Sequence, residues 1–401
     1  MQSGAVLSYT DPKIHTVQFF TEGWEFSLPV LELGTAQRLI CKFDHLSGDP
    51  GNYHYAVVHC DADWNPSRLV SSEYMEGFPE NPVNDYAFSI NTTIPFVNYR
   101  ITLPNENVKI LLSGNYLLKV WEGGNKEKPV LTRPFYVAEK MVEITGQIRN
   151  ATYEGYNGAS QQVEFAVNFT RLTVNDPLNE IKTVVMQNLR IDNQLSRFKP
   201  TFIRQNQLVY EEKINLFKGG NEFRNFNAKN LQTNGMGVHS VEFQDPYFHI
   251  FLERDQSLRK ETYLTREDLN GSYLIKNDRA SDNDLETDYI YVHFSLTPPD
   301  QVTNDPIYVF GALSDWQCTP ATQMIYNPDK KSYESVILLK QGFYDYQYVL
   351  YNKDSQAIDA TFLEGSHVET ENDYHLFVYY RGFSSRYDRL IGYRVLNSVK
   401  R

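Results

Sequence analysis

The chain has 401 residues, a formal net charge of -12 and an aromatic content of 14%, with 28 Tyr and 24 Phe. This length favours several domains, and three of roughly 130 residues each fit the usual domain size. The acidic balance argues against nucleic acid and anionic lipid as partners, because binding either one needs a basic face. No apolar stretch approaches the roughly 18 to 20 residues that span a bilayer as a helix, so no direct membrane insertion is expected.

Apolar and polar residues alternate with a period of two along much of the chain, whereas helical periods are scarce. Clear examples are residues 39–43, 163–167 and 289–294. Turn-forming clusters rich in Gly, Pro and Asn separate these runs, and the crossover helices of parallel βαβ folds are missing. The sequence therefore predicts an all-β fold of three tandem antiparallel β-sandwich domains.

Two segments are interpreted as domain boundaries. The first lies near residue 140, between two predicted strands, and the second is the almost wholly polar run 277–288, which has the composition of a solvated connection. The predicted domains are residues 1–140, 141–285 and 286–401.

The second boundary segment is also a candidate calcium site because it is rich in carboxylates. It lacks the spacing and the glycine of an EF-hand loop, so a solvated loop is the preferred interpretation. The acids concerned are Asp278, Asp282, Asp284, Glu286 and Asp288.

The start of the chain, Met1 to Ala5, lacks the basic and then apolar run of a secretory signal peptide. Such a start fits either a cytosolic protein or a mature secreted chain given a new first residue. The residues themselves do not choose between the two compartments.

The three cysteines, Cys41, Cys60 and Cys318, are never spaced as Cys-x-x-Cys. Neither a zinc knuckle nor a disulfide framework is therefore indicated. Buried thiols acting as small hydrophobic groups are the preferred interpretation, and a Cys41–Cys60 bridge is left open.

The densest cluster of reactive residue types runs from His59 to Pro66. On a strand, His59, Asp61 and Asp63 would share one face, as ligands of a metal would. The preferred interpretation is structural: Asn65 followed by Pro66 predicts a helix N-cap and first helical residue, with Cys60 and Trp64 in the core.

No other pattern indicates catalysis. The sequence has no Gly-x-Ser-x-Gly elbow, no phosphate-binding loop, no His-Glu-x-x-His and no glycine-rich dinucleotide turn. We therefore predict a protein that is not an enzyme, with no catalytic, cofactor-binding or metal-binding residues. Residues that bind a partner cannot be named from the sequence.

The segments 307–316 and 338–349 resemble the immunoglobulin-like starch- and glycogen-binding modules. This resemblance implies an immunoglobulin-like sandwich in the third domain and a tryptophan, here Trp316, that stacks on a sugar ring. The second tryptophan of such sites is missing, and Gln347 occupies the position of their lysine. Packing is therefore the preferred role of Trp316, and carbohydrate binding at the cell surface or in the periplasm is the alternative function.

A colinear set of short motifs across all three predicted domains resembles the plug protein family of the type IX secretion system. The motifs are residues 12–18, 29–34, 59–66, 72–78, 99–105, 112–120, 220–227, 268–273 and 369–374.

This resemblance implies a function, a compartment and a partner. A plug protein is periplasmic, its signal peptide being absent from this chain, and it closes the periplasmic mouth of a very large outer-membrane translocon β-barrel of the SprA type when no substrate is passing. Aromatic residues in loops are expected to supply the interface.

Overall fold

The computed structural model describes residues 7–151, 159–196, 198–211, 215–301 and 303–399. The chain start considered above, Met1 to Ala5, lies outside these residues. Strands make up 47% of the structure and helices 5%, in several antiparallel sheets, which confirms the all-β prediction. Within the described ranges no helix has the length and apolar character needed to cross a membrane.

The first sandwich is built from the first part of the chain and encloses a large apolar core. One sheet has the order β1-β12-β11-β5-β7 with β3 beside β12, the second has the order β2-β4-β9-β8, and β6 pairs with β10. Alternation produces this core, since Val97, Tyr99, Ile101 and Leu103 of one strand are all buried in it. The elements are β1 (Tyr9–Thr10), β2 (Ile14–Thr21), β3 (Val30–Glu32), β4 (Leu39–His45), β5 (Tyr53–Cys60), α1 (Ser71–Tyr74), β6 (Met75–Gly77), β7 (Asn81–Pro82), β8 (Tyr86–Phe88), β9 (Val97–Leu103), β10 (Val108–Ile110), β11 (Gly114–Glu122) and β12 (Leu131–Ala138).

The second sandwich begins with seven strands and a short helix. They are β13 (Glu143–Asn150), β14 (Ser160–Asn168), α2 (Pro177–Glu180), β15 (Ile181–Gln187), β16 (Gln194–Ser196), β17 (Phe202–Arg204), β18 (Gln207–Tyr210) and β19 (Leu216–Lys218). One of its sheets has the order β13-β14-β18-β17, with β19 also pairing with β14. Its other sheet is completed much later in the chain.

The third sandwich follows as a separate core between two further sheets. Its elements are β20 (Arg224–Asn227), β21 (Val238–Gln244), β22 (Tyr247–Leu252), β23 (Tyr273–Ile275), β24 (Tyr289–Leu296), β25 (Ile307–Phe310), β26 (Ile325–Asn327), β27 (Ser332–Lys340), β28 (Gly342–Asn352), β29 (Ala357–Asp359) and α3 (Thr361–Glu364). The sheet that matters below has the order β21-β22-β24-β27-β26. The long strand β28 organises the opposite sheet by pairing with β20, β23, β25 and β29.

The last two strands, β30 (Asp373–Tyr380) and β31 (Arg389–Asn397), return to the second sandwich, where the sheet order is β16-β15-β30-β31. The third sandwich is therefore an insertion within the second. These limits differ from the predicted cut at 285/286, because that prediction treated each domain as one continuous segment. We propose a division into 7–140, 141–218 with 372–399, and 219–371.

The first and second sandwiches meet through an apolar contact, called the apolar joint below. The ring of Tyr136 stacks on that of Phe377 with centroids 4.5 Å apart, and the buried Trp64 packs edge-on against Tyr136. Tyr379 donates to Asn115 Oδ1 at 2.7 Å across the same contact. Apolar area of this kind is buried as in a domain core. Two more exposed ion pairs, Arg389–Glu139 at 2.6 Å and Arg386–Glu73 at 2.7 Å, accompany it.

The first and third sandwiches meet through buried charges, called the polar joint below. Lys340 Nζ lies 2.8 Å from Asp44 Oδ2, with side chains 2% and 1% exposed. Tyr289 donates to the same carboxylate oxygen at 2.7 Å, and Lys340 also lies 4.0 Å from the ring centroid of Phe96. Every charged group at this joint has a partner, as burial of an ion requires.

Candidate functional site

The His59 to Pro66 cluster folds as a tight corner at the apolar joint. The Asp61 carboxylate accepts hydrogen bonds from the backbone N–H groups of Asp63 at 3.0 Å and Asn65 at 2.9 Å. Pro66 then forms an isolated bridge with Cys60, so the chain turns back on itself. The predicted helix from Asn65 is wrong, because the backbone N–H of Ser67, which would lie in its first turn, donates instead to His59 O at 2.9 Å.

His59 is a packing residue within this corner. Its ring is 1% exposed and lies against the rings of Tyr74, Tyr116 and Tyr387, with centroids 5.7, 4.9 and 5.5 Å away. Burial lowers its pKa, and the neutral ring donates from Nε2 to Ser113 O at 3.2 Å. Among the residues that the structure describes, no three His, Cys, Asp or Glu side chains are grouped to hold a metal ion.

The acidic run 277–288 belongs to the polar joint. Asp288 accepts from the backbone N–H and the hydroxyl of Thr93, at 3.0 and 2.9 Å. Asp284 pairs with Lys42 at 2.7 Å. Asp278 and Asp282 are exposed, whereas the carboxylates of Asp284 and Asp288 face donors of the first sandwich. Since the segment joins β23 to β24, we propose that it lies within the third sandwich rather than between domains.

All three cysteines are free thiols. Cys41 lies in the core of the first sandwich and Cys60 in the apolar joint, and burial raises the pKa of both to about 12. Thiols with so high a pKa are not nucleophiles at neutral pH.

Trp316 lies on a turn that projects from the third sandwich towards the first. Asp315 and Trp316 have φ values of 54° and 56°, and Asp315 pairs with Arg133 of the first sandwich at 2.7 Å. The half-buried indole meets the rings of Phe223 and Phe310 edge-on, with centroids 6.0 and 5.5 Å away. The side chain thus packs between two phenylalanines at the edge of the third sandwich.

A cavity of about 370 Å³, called the junction cavity below, lies beside Trp316 where the three sandwiches meet. Apolar side chains dominate its wall, and Glu25, Arg133, Asp192 and Asp315 are its charged members. Its apolar and aromatic lining includes Leu7, Val17, Phe19, Leu28, Pro29, Pro134, Leu189, Ile191, Tyr273 and Trp316.

The outer face of the third sandwich carries a half-exposed row of rings, called the aromatic band below. The His249 and Tyr291 rings stack with centroids 5.1 Å apart, and those of Phe251 and His293 stack at 4.2 Å. His249 Nδ1 lies 2.8 Å from His293 Nε2, within hydrogen-bond distance. The band comprises Tyr247, His249, Phe251, Tyr291, His293 and the 49% exposed Val336.

The aromatic band continues the sheet face that forms the polar joint. Tyr289 and Lys340 point outwards from β24 and β27 and are covered by the first sandwich. Two residues further along β24, Tyr291 is half-exposed, and Val336 lies opposite His293 on β27. Half of this face is thus occupied, and the other half is open to a partner.

Three carboxylates of the third sandwich have pKa values that burial raises, and two of them, Asp345 and Glu222, are buried. Asp345 is completely buried and accepts from the backbone N–H groups of Leu269 and, at 3.2 Å, Gly271. Burial raises the pKa of Asp345 to about 8 and that of Asp268 to about 6. Burial also raises the pKa of Glu222, which accepts from the backbone N–H of Glu371 at 3.1 Å.

The junction cavity and the aromatic band were both missed by the sequence analysis. The alternation of 289–294 signals outward positions for Tyr291 and His293, but their neighbours His249 and Phe251 come from another strand. The two strands pair in parallel, with His249 opposite Tyr291 and Phe251 opposite His293. No local pattern gives such a register.

Comparison with known proteins identifies a matching family model and a closely similar solved structure. A family model described as "Type 9 secretion system plug protein 1st domain" matches residues 14–139, which is the first sandwich. A crystal structure of a hypothetical protein from Parabacteroides merdae ATCC 43184 is 34% identical, with a TM-score of 0.93, and the match covers 98% of this chain and 99% of that one. No curated protein matches the chain.

Proposed function

The chain belongs to the type IX secretion system plug family, and from this premise we propose that it closes the periplasmic mouth of the outer-membrane translocon when no substrate is passing. The partner in this proposal is the large SprA-type β-barrel, and the location is the periplasm. The function needs no catalysis, since a body that occupies an opening excludes solutes by its volume and its contacts.

The single observation that carries the proposal is that the three sandwiches form one braced body. Tyr136 and Phe377 join the first sandwich to the second, and Lys340 and Asp44 join the third to the first. The second and third are joined by two chain connections that bond to each other, since His367 donates its backbone N–H to Gly220 O at 2.8 Å. Contacts between every pair of sandwiches keep the body rigid, and a rigid body can block an opening against solutes.

We propose that the aromatic band is the surface that contacts the translocon. Aromatic residues are enriched in the centres of protein interfaces, where they bury large areas at a small entropy cost. The band is flat, lies on a sheet rather than on loops, and borders a part of the same face that already contacts a domain. A contact of the standard size, about 1,600 Å² in total, would extend beyond it onto neighbouring loops.

The deciding experiment measures the uptake of a normally excluded dye by a deletion strain that still produces the translocon. We expect uptake without the protein and exclusion when the wild-type chain is restored. Exclusion in the deletion strain with the translocon present would contradict the plug proposal.

A matched pair of variants locates the contact. Val336→Glu places a charge in the aromatic band, whereas Ile203→Glu places one on the second sandwich, and the two side chains are 49% and 55% exposed. We expect Val336→Glu to let dye enter and to lower co-purification with the translocon, whereas Ile203→Glu should behave as wild type. Equal behaviour of the two variants would contradict the docking surface while leaving the plug function to the first test.

A further inference from the structure

We propose that the junction cavity is a binding site for a ligand that joins an apolar body to a single positive charge. This inference concerns a different surface from the aromatic band and does not depend on the plug function. It rests on the size and lining of the cavity, on which of its charged side chains already have partners, and on the negative charge of the side chain that has none in the described ranges.

The size and the lining of the cavity are those of a small-ligand site. Ligand pockets usually enclose about 300 to 1,000 Å³, have mainly apolar and aromatic walls, and often lie between domains. The junction cavity has about 370 Å³ and takes its wall from all three sandwiches. Phe19 of the first, Ile191 of the second and Trp316 of the third all line it.

The arginine that the described residues contribute to the wall is not available to bind an anion. Arg133 is 7% exposed, and its NH2 group donates to Thr10 Oγ1 and to Asp315 Oδ2, both at 2.7 Å. Its NH1 group donates to Ser8 Oγ and to the carbonyl oxygen of Tyr9 at 3.0 and 3.1 Å. A ligand carboxylate or phosphate would have to displace these partners.

The acidic side chains of the wall differ in whether they already have a partner. Asp315 is held by Arg133, and Asp192 is held by Arg190 at 2.6 Å. Glu25 is exposed and makes no hydrogen bond or ion pair with any residue in the described ranges. The free charge beside the cavity is therefore negative and sits on one carboxylate.

A cation with an apolar body satisfies both features. Its apolar part would fill the space beside Trp316 and Tyr273, and its charge would lie near Glu25 at the edge. The faces of these aromatic rings also attract cations within about 6 Å, whereas they repel anions. The cavity thus favours an amine over a carboxylate of the same shape.

The test uses the whole protein and two probes of one shape and opposite charge, 4-phenylbutylamine and 4-phenylbutyrate. Isothermal titration calorimetry should show saturable binding of the amine and at least several-fold weaker binding of the acid. Binding should change the tryptophan fluorescence of the wild type but not of Trp316→Phe. Equal binding of the two probes, or no saturable binding of the amine, would overturn the proposal.

Two variants separate the charge from the cavity. Glu25→Gln changes an exposed side chain and should weaken amine binding by roughly two- to fivefold, the effect of an exposed ion pair, without weakening binding of the acid. Ala312→Leu adds volume to the wall and should abolish binding of both probes, with the fold checked by circular dichroism. Unchanged amine binding in Glu25→Gln would contradict the role given to that carboxylate.

Discussion

The two joints of the first sandwich differ in chemistry although they belong to the same body. At the apolar joint, the Tyr136 ring stacks on that of Phe377 among buried aliphatic side chains. The Tyr379 hydroxyl donates a hydrogen bond to Asn115 across the same contact. The polar joint centres on the buried pair of Lys340 and Asp44.

This difference shows which part of the body is able to change. Apolar burial depends little on pH or salt, and the ion pairs beside the apolar joint, Arg389–Glu139 and Arg386–Glu73, are partly exposed and contribute little. The first and second sandwiches should therefore behave as one unit. A buried ion pair holds its geometry only while both partners are present and charged, because each ion has lost its hydration. The third sandwich, which also carries the aromatic band, is therefore joined to the first by the more sensitive contact.

The largest effect is expected from opening the apolar joint. Tyr136→Ala removes a ring that is 2% exposed and stacked on Phe377, and should lower the free energy of unfolding by about 3 to 5 kcal/mol. Urea denaturation followed by circular dichroism measures it. Phe88→Ala, at a 50% exposed ring of the same sandwich, is the control and should change stability by about 0.5 kcal/mol or less.

If Tyr136→Ala cost no more than Phe88→Ala, the two sandwiches would not depend on their contact. The apolar joint would then not be the contact that holds the first and second sandwiches together. A transition that splits into two steps would instead mean that the sandwiches unfold separately once the ring is gone.

A smaller but still large effect is expected at the polar joint. Lys340→Met leaves Asp44 buried without its cation and should destabilise the protein by about 3 kcal/mol. The double variant Asp44→Asn with Lys340→Met removes both charges and should recover most of that loss. Urea denaturation of the two variants at the same pH checks this, and equal destabilisation would mean that packing rather than charge holds the joint.

The stability of the third sandwich should depend on pH through the buried Asp345, whose hydrogen-bond donors lie in the same sandwich. The pKa of Asp345 is raised by burial to about 8, so the folded protein holds a proton that the unfolded chain releases near pH 4. Stability should therefore be highest at acidic pH and fall as the pH rises towards 8, by at most about 1.4 kcal/mol per pH unit for this one group.

Asp345→Asn separates this titration from other pH effects. The amide oxygen can still accept from the backbone N–H groups of Leu269 and Gly271, and the amide carries no proton to lose. The pH dependence of the urea midpoint between pH 5 and 8 should become flatter in the variant. An unchanged slope would assign the effect to Glu222 or to Asp268, whose pKa values are also raised.

The sequence predicts the strands well because each strand is a local pattern. Alternation gave residues 289–294, which lie in β24, and the whole all-β class. It could not show the contacts of the 277–288 segment, because the composition of a polar segment does not tell which of its carboxylates face water and which face the donors of another domain. Asp288 and Thr93 are 195 positions apart, and only the fold brings them together.

Three of the motifs that carried the family resemblance lie where sandwiches are joined. Residues 59–66 form the corner at the apolar joint, 220–227 follow directly after the first connection between the second and third sandwiches, and 369–374 contain the second connection. The family resemblance could thus be recognised from short segments. The contacts between sandwiches in which these segments take part could not be predicted from them. The candidate surfaces were beyond sequence reasoning for the same reason, since both combine residues from separate strands or domains.

The smallest effect is expected in the aromatic band, beyond the edge of the polar joint. Burial lowers the pKa of His293 and the nearby His249 lowers it further, with Lys330 acting in the same direction and Glu242 and Glu334 opposing it. Because the folded protein binds this proton less readily than the unfolded chain, stability is lost as the pH falls through about 6.5. His249→Gln removes the neighbouring imidazole that lowers the pKa of His293 and should therefore raise that pKa. NMR titration of the histidine ring protons measures the pKa of His293. His54→Gln in the first sandwich is the control and should leave the pKa of His293 unchanged.

A His293 pKa that does not respond to His249→Gln would show that the two rings titrate independently. Acidic pH would then not act through this histidine pair on the surface proposed to contact the translocon.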